Sequence, residues 1–228
     1  QKIVLKEDNQ DVRLVIDATD SNDIFQAFYD HSGVERARIG IDELDSARFR
    51  LFDSKSTLRF NAVTFSDNHP QAANRVSMAI LGADNQDPDN VVEKGGIVLT
   101  TSPSGAVGEY LFDKDGGLRI ENQVFDNGMV GKNIYDNNAV LRLSEGVLAN
   151  GNTTRQMLDN TGKSRHSLTI SEGESSLVNE IIFDKQGVAR LVNFTNGNTS
   201  GQIHNDQAGE TKTSTAIDAD NTVAHFVE

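Results

Sequence analysis

Apolar and polar residues alternate along most of this chain in short runs, each closed by a cluster of Asp, Asn, Gly or Ser. A period of two marks β-strands with one covered face, and the closing clusters mark turns. In the run Phe25-Gln26-Ala27-Phe28-Tyr29 the alternation leads into Asp30-His31-Ser32-Gly33, and Arg36 follows six positions after the Asp. The same grammar returns at Asp113, Gly116, Arg119; at Asp159, Gly162, Arg165; and at Asp184, Gly187, Arg190. Small residues take the Gly position in Asp53, Ser56, Arg59 and in Asp136, Ala139, Arg142. Asp206, Gly209, Lys212 is a basic variant, and Glu7, Gln10, Arg13 a degenerate first copy. The anchors fall at 7, 30, 53, 113, 136, 159, 184 and 206, with successive intervals of 23, 23, 60, 23, 23, 25 and 22 residues. A recurrence this regular defines about eight units of roughly 23 residues.

The spacing follows from turn chemistry. Asp suits the first position of a type I turn, where its carboxylate accepts backbone N–H groups. Gly three places later suits the left-handed residue of a three-residue hairpin loop. In that geometry Tyr29 faces Glu35 and Phe28 faces Arg36; likewise Leu51 faces Arg59, Leu111 faces Arg119, Ile134 faces Arg142, Met157 faces Arg165 and Ile182 faces Arg190. Each Arg stem would lie over an apolar neighbour, its guanidinium reaching diagonally to the turn Asp. Half-way along each unit a second turn is expected, for instance at Asp42 to Asp45, Asp126-Asn127-Gly128, Asn150-Gly151-Asn152, Glu172-Gly173-Glu174, Asn196-Gly197-Asn198 and Asp218 to Asn221. No segment reads as a long helix.

The predicted class is therefore all-β, built from two-stranded repeats that stack into an elongated array. A lone two-stranded unit cannot cover its apolar face. An intertwined homotrimeric fibre is favoured, because the apolar stripe is narrow and large core-filling residues are few; a monomeric β-solenoid and a closed β-meander are the alternatives. The 60-residue interval divides the chain into an N-terminal array (1–60), an insertion or change of packing mode (61–110) and a C-terminal array (111–228). The middle segment holds Pro70, Pro88 and Pro103, all the proline present. Proline cannot donate to a sheet ladder, so regular strand stacking is expected to break there, and a ligand or partner surface is expected within 61–110.

Composition narrows the function. There are 34 acidic and 21 basic residues, a formal charge of −13, which argues against nucleic acid and anionic membranes as partners. Cys and Trp are absent, so there is no disulfide framework and no thiolate site. No apolar run is long enough to span a membrane. The chain opens at Gln1 with no apolar leader, which reads as a processed secreted protein ahead of an excised fragment.

The run from Phe25 to Ile41 resembles shaft segments of bacteriophage tail fibres. It is particularly similar to the triple-stranded β-helix of phage-type hyaluronate lyases. The resemblance implies a fibrous homotrimer, extracellular or on a virion, with polysaccharide lyase activity in a groove between subunits as one alternative. In those lyases a Tyr after the Asp takes part in catalysis; here His31 holds that position.

Among single residues, Tyr29, Tyr110 and Tyr135 are candidates to contact a sugar in a carbohydrate-binding module. Asp84, Asp87 and Asp89 gather oxygen ligands that suit Ca²⁺, the one cofactor the sequence suggests. Asp30, Gly33, Arg36, Asp113, Gly116, Arg119, Asp159, Gly162, Arg165, Asp184, Gly187 and Arg190 are assigned to structure, since catalysis needs one site and not several copies. The leading functional expectation is a fibre-like module that presents a surface for attachment, with a glycan or cell-surface partner. No catalytic residue is assigned.

Overall fold

The computed structural model describes residues 1–19, 23–69, 73–82, 95–171 and 176–228. Asp84, Asp87, Asp89 and the turn at 172–174 lie outside the described residues. The chain forms two compact units, Gln1–Arg119 and Ile120–Glu228. Every regular element among the described residues is a β-strand.

The first unit contains β1 (Lys2–Lys6), β2 (Val12–Ala18), β3 (Ile24–Tyr29), β4 (Glu35–Ile41), β5 (Ala47–Phe52), β6 (Leu58–Thr64), β7 (Val76–Ile80), β8 (Gly96–Thr101), β9 (Val107–Phe112) and the start of β10 (Leu118–Val124). From β1 to β9 each strand pairs antiparallel with the next. The second unit takes up the rest of β10 and adds β11 (Val130–Tyr135), β12 (Leu141–Val147), β13 (Thr153–Leu158), β14 (Ser164–Ser171), β15 (Leu177–Phe183), β16 (Ala189–Asn196), β17 (Thr199–Asn205), β18 (Thr211–Ile217) and β19 (Val223–Val227). It is likewise an antiparallel meander in chain order.

Turn chemistry sets this order, because each Asp-led loop sends the chain straight back along the strand it has just left. In the first such hairpin Gly33 N–H donates to Asp30 O at 3.0 Å and Asp30 N–H to Val34 O at 2.9 Å. The left-handed residue closing the loop is Gly33 at φ 78°, and Gly116, Gly162, Gly187 and Gly209 repeat it at 86°, 78°, 90° and 87°. Gln10, Ser56 and Ala139 adopt the same conformation at 70°, 62° and 58° without being glycine. Turns at the other end of the strands are built alike, with Asp45, Gly105, Gly128, Gly151 and Asn221 left-handed.

The expected pairing of apolar residues with arginine is corrected by the register. Tyr29 does face Glu35, but Phe28 faces Ala37. Leu51 faces Phe60, Ile134 faces Leu143, Met157 faces His166 and Ile182 faces Leu191. Each hairpin carries a β-bulge whose extra residue is the arginine itself: Arg36, Arg59, Arg142, Arg165 or Arg190. The bulge takes the Arg out of the ladder and turns it back toward its own turn. No such shift occurs next to the turns at 42–46, 102–106, 125–129, 148–152 and 218–222.

Among the described residues of 61–110, strand pairing does not break. β6, β7, β8 and β9 continue the ladder. The 60-residue interval from Asp53 to Asp113 holds two regular 23-residue units and 14 further residues. That extra length falls in the connections 65–75 and 81–95; Pro103 lies in the turn between β8 and β9, and Pro70 and Pro88 lie outside the described residues.

Burial differs between the units. In the first, Leu58, Ala79, Leu81 and Val98 form a buried cluster with Phe52, Tyr110 and Phe112 packed on it. Val15, Ala27 and Val63 are buried on the same face. In the second unit no described residue is buried.

Candidate functional site

Three arrangements concentrate polar chemistry or unusual surface. The first is the recurrent turn. Asp53 Oδ1 accepts the amides of Lys55 at 2.8 Å and Thr57 at 3.0 Å, while its Oδ2 accepts Arg59 Nε at 2.9 Å. Asp113 repeats this with Asp115 and Gly117 at 2.9 and 2.8 Å, and with Arg119. Asp159 holds Thr161 and Lys163 at 2.7 and 3.1 Å, together with Arg165. Asp30–Arg36, Asp136–Arg142 and Asp184–Arg190 are looser, at 3.7, 3.3 and 4.0 Å. Some arginines also reach the next hairpin: Arg142 Nε donates to Leu158 O at 3.1 Å and Arg165 Nη2 to Lys185 O at 3.1 Å. Asp42 makes the same two amide bonds, to Leu44 and Ser46, and pairs with Arg48 at 2.7 Å. That half-unit copy has the same Asp-to-Arg spacing of six and was legible in the sequence.

These contacts lower the carboxyl pKa values. Backbone amide donors lead the effect in Asp30, Asp53, Asp113, Asp136 and Asp206. The Thr161 hydroxyl leads at Asp159. At Asp184 desolvation pushes upward, and the Val188 and Gln186 amides with Arg190 outweigh it. An aspartate so fully engaged is a structural clamp.

Tyr29 and Tyr110 stand on different strands of the first unit. Tyr29 lies on β3 with its hydroxyl 3.4 Å from Glu35 Oε2; burial first, then Glu35, raises its pKa. Tyr110, on β9, packs on the buried cluster. Five strands, β4 to β8, separate the two within the first unit. Tyr135 belongs to the second unit, where its hydroxyl donates to Glu121 Oε2 at 2.9 Å. Near Tyr29, Arg38 is clamped to Glu35 at 2.9 and 2.7 Å and lies 4.3 Å over the Phe25 ring. Arg38 stands directly across from Arg50. Both line a hollow of about 400 Å³ with Asp23, Asp42 and Arg48.

A second arrangement escaped the sequence reading. On the second unit a hydrogen-bonded chain crosses four strands, from His166 through Glu180, Asn193 and Gln202 to His204, with links of 2.9, 2.9, 2.7 and 2.8 Å. His166 and then Asn193 lower the Glu180 pKa. His166, Glu180, Asn193 and Gln202 lie on successive strands, 9 to 14 residues apart in sequence, and only the strand register brings them together. Among the described residues no three His, Asp or Glu gather as metal ligands, and no helix is long and apolar enough to cross a membrane.

The third arrangement is a surface. On the first unit's other face, register aligns Leu14, Phe28, Ala37 and Leu51 with Phe60, Ile80, Ile97 and Leu111. The flanking rows include Ile16, Ile39, Phe49 and Leu99 on one line, and Ile24, Ile41, Val76 and Val107 on the next. Phe49 and Phe60 meet edge to face at 5.8 Å. Ile24, Ile39 and Ile80 are 55%, 50% and 53% exposed. A trough of about 710 Å³ runs along this face past Ile39, Phe49 and Met78.

The sequence matches no protein-family model and no curated protein. Two crystal structures resemble the chain over 99% of its length at 10% identity: TcdB2-TccC3-TEV, with a TM-score of 0.25, and TcdB2-TccC3-Cdc42, with a TM-score of 0.24. The chain spans 15% and 16% of those chains. Likeness at this level defines no shared fold.

Proposed function

We propose that this chain is a fibre-like structural and binding module, extracellular or carried on a virion, that works as a homotrimer and presents its surface for attachment to a glycan or cell-surface partner. The observation that carries the reading is the repeated clamp. One local device, an Asp holding two turn amides and a bulged Arg, recurs from hairpin to hairpin, and repetition of that kind suits a scaffold that spaces and stiffens. The likeness of Phe25 to Ile41 to tail-fibre shafts fits the same reading. The acidic balance of −13 keeps such a module soluble and off anionic surfaces.

The test has two arms. Fluorescent full-length chain is applied to a glycan array and to a panel of bacterial and animal cells, and retention on a subset of them is expected. In parallel the chain is incubated with hyaluronate, chondroitin and alginate while the ultraviolet absorbance of unsaturated products is followed; no rise is expected. Sustained product formation would replace the module with a lyase, and uniform failure to bind would remove the attachment role.

A further inference from the structure

We infer that the apolar face of β2–β9 is an interface between copies of this chain. The assignment deepens the fibre-module reading and rests on it. Three rows of side chains cross eight strands on this face, and Glu109 is the one charged residue in them. With strands about 4.8 Å apart and same-face residues about 6.8 Å apart, the rows cover roughly 38 by 20 Å, on the order of 800 Å². Each partner in a standard stable interface buries about 800 Å², whereas the largest apolar patch on an ordinary monomer is about 300–600 Å².

Three observations select a second copy as the occupant. The face offers almost no charge, so it has no electrostatic handle for an acidic, basic or phosphate-bearing partner. The charges behind the net −13 lie elsewhere, and like copies can meet here without bringing them together. Among its described apolar side chains the first unit buries only Val15, Ala27, Leu58, Val63, Ala79, Leu81 and Val98, so it is short of core, and association of identical chains covers the apolar surface it leaves exposed. The face also has the pitch of its own strands, and a copy brings rows of matching pitch.

The experiment uses the full chain. Light scattering on the wild type is expected to give a multiple of 24.9 kDa. Ile39→Lys combined with Ile80→Lys places two ammonium groups on the face at half-exposed positions that an isolated chain tolerates. This variant is expected to keep its β circular dichroism and fall to the single-chain mass. Because the chain has no cysteine, Ile39→Cys and the turn control Asn138→Cys each give a single thiol. Ile39→Cys should react with maleimide at least about tenfold more slowly than the control, since it is reached only when the interface opens. A single-chain mass for the wild type overturns the proposal, including the case where that monomer binds phosphatidylcholine vesicles or another protein through this face. An unchanged mass in the folded lysine variant overturns it while leaving an assembled fibre module in place. If the lysine variant unfolds, the thiol pair decides, and equal labelling rates overturn the interface. Loss of glycan or cell retention leaves all three readouts untouched and tells against the attachment role alone.

Discussion

Arg59 grips a single oxygen of Asp53 with two nitrogens, Nε at 2.9 Å and Nη2 at 2.7 Å, from a position that the strand ladder leaves unpaired. The other oxygen of Asp53 is taken by two turn amides. The two partners therefore contribute unequally. An exposed ion pair adds about 0.2–1 kcal/mol, so Arg59→Ala should lower stability by no more than that. Asp53→Ala loses the pair and leaves two amides without their acceptor, and should lower the melting temperature further. Asp53→Asn keeps an acceptor for the amides and should fall between them. Urea titration of the three variants checks the order, and a loss for Arg59→Ala equal to that for Asp53→Ala would contradict it.

Left-handed residues without glycine store strain. Ala139 sits at φ 58°, a conformation costing an L-residue roughly 1–2 kcal/mol. Ala139→Gly should stabilise the chain by about 1 kcal/mol. Gly187→Val, at φ 90° with nothing within 4 Å of an added Cβ, should destabilise by about 1 kcal/mol or more through the backbone alone. Opposite signs for this pair in denaturant titration are the expected result; a stabilising Gly187→Val would contradict the turn assignment.

Acid should weaken the hairpins together. The turn carboxyls at 30, 53, 113, 136, 159, 184 and 206 are all held below the ordinary range in the folded chain. Their contribution is complete well above the unfolded value of about 3.9. Below that value the unfolded chain binds protons first, so the contribution falls with pH and is lost as pH passes through the folded values. Melting temperature should hold from neutrality to about pH 5 and drop below about pH 4. A flat profile down to pH 2 would count against the clamps.

Gly40, like Gly96, Gly146 and Gly201, is required by close approach of backbone. A Cβ on Gly40 would lie 2.5 Å from the Ile24 carbonyl oxygen and 2.8 Å from Phe25 Cβ. The first obstacle is backbone, which cannot swing aside. Gly40→Ala should destabilise by about 2 kcal/mol through forced strand displacement, measurable by thermal melting. A neutral result would mean that β3 and β4 can separate there freely.

Local chemistry was readable from the residues. The Asp, the left-handed position three residues on and the alternation before it all act within one hairpin, so Asp30 and Gly33 announce their turn unaided. Arg36 also announced its partner Asp30, but not how it gets there: a β-bulge depends on the balance between ladder and ion pair, which no residue type signals. The prolines of 61–110 suggested a broken array, because sequence does not show whether a proline such as Pro103 falls in a ladder or in the turn between two strands. The chain from His166 to His204 and the rows through Phe28 and Ile80 needed the register of every intervening strand.

The chain-order pairing of β10 to β19 has a consequence for how such a molecule changes size. Each strand pairs with its neighbours in the chain, so a whole unit can be removed without orphaning a strand distant in sequence. Excising 136–158 would join Tyr135 to Asp159, setting an apolar residue before a turn aspartate just as Leu158 stands there now. Length in this architecture is thus counted in hairpins, and a gene could lengthen or shorten the protein one 23-residue step at a time with no redesign of what remains.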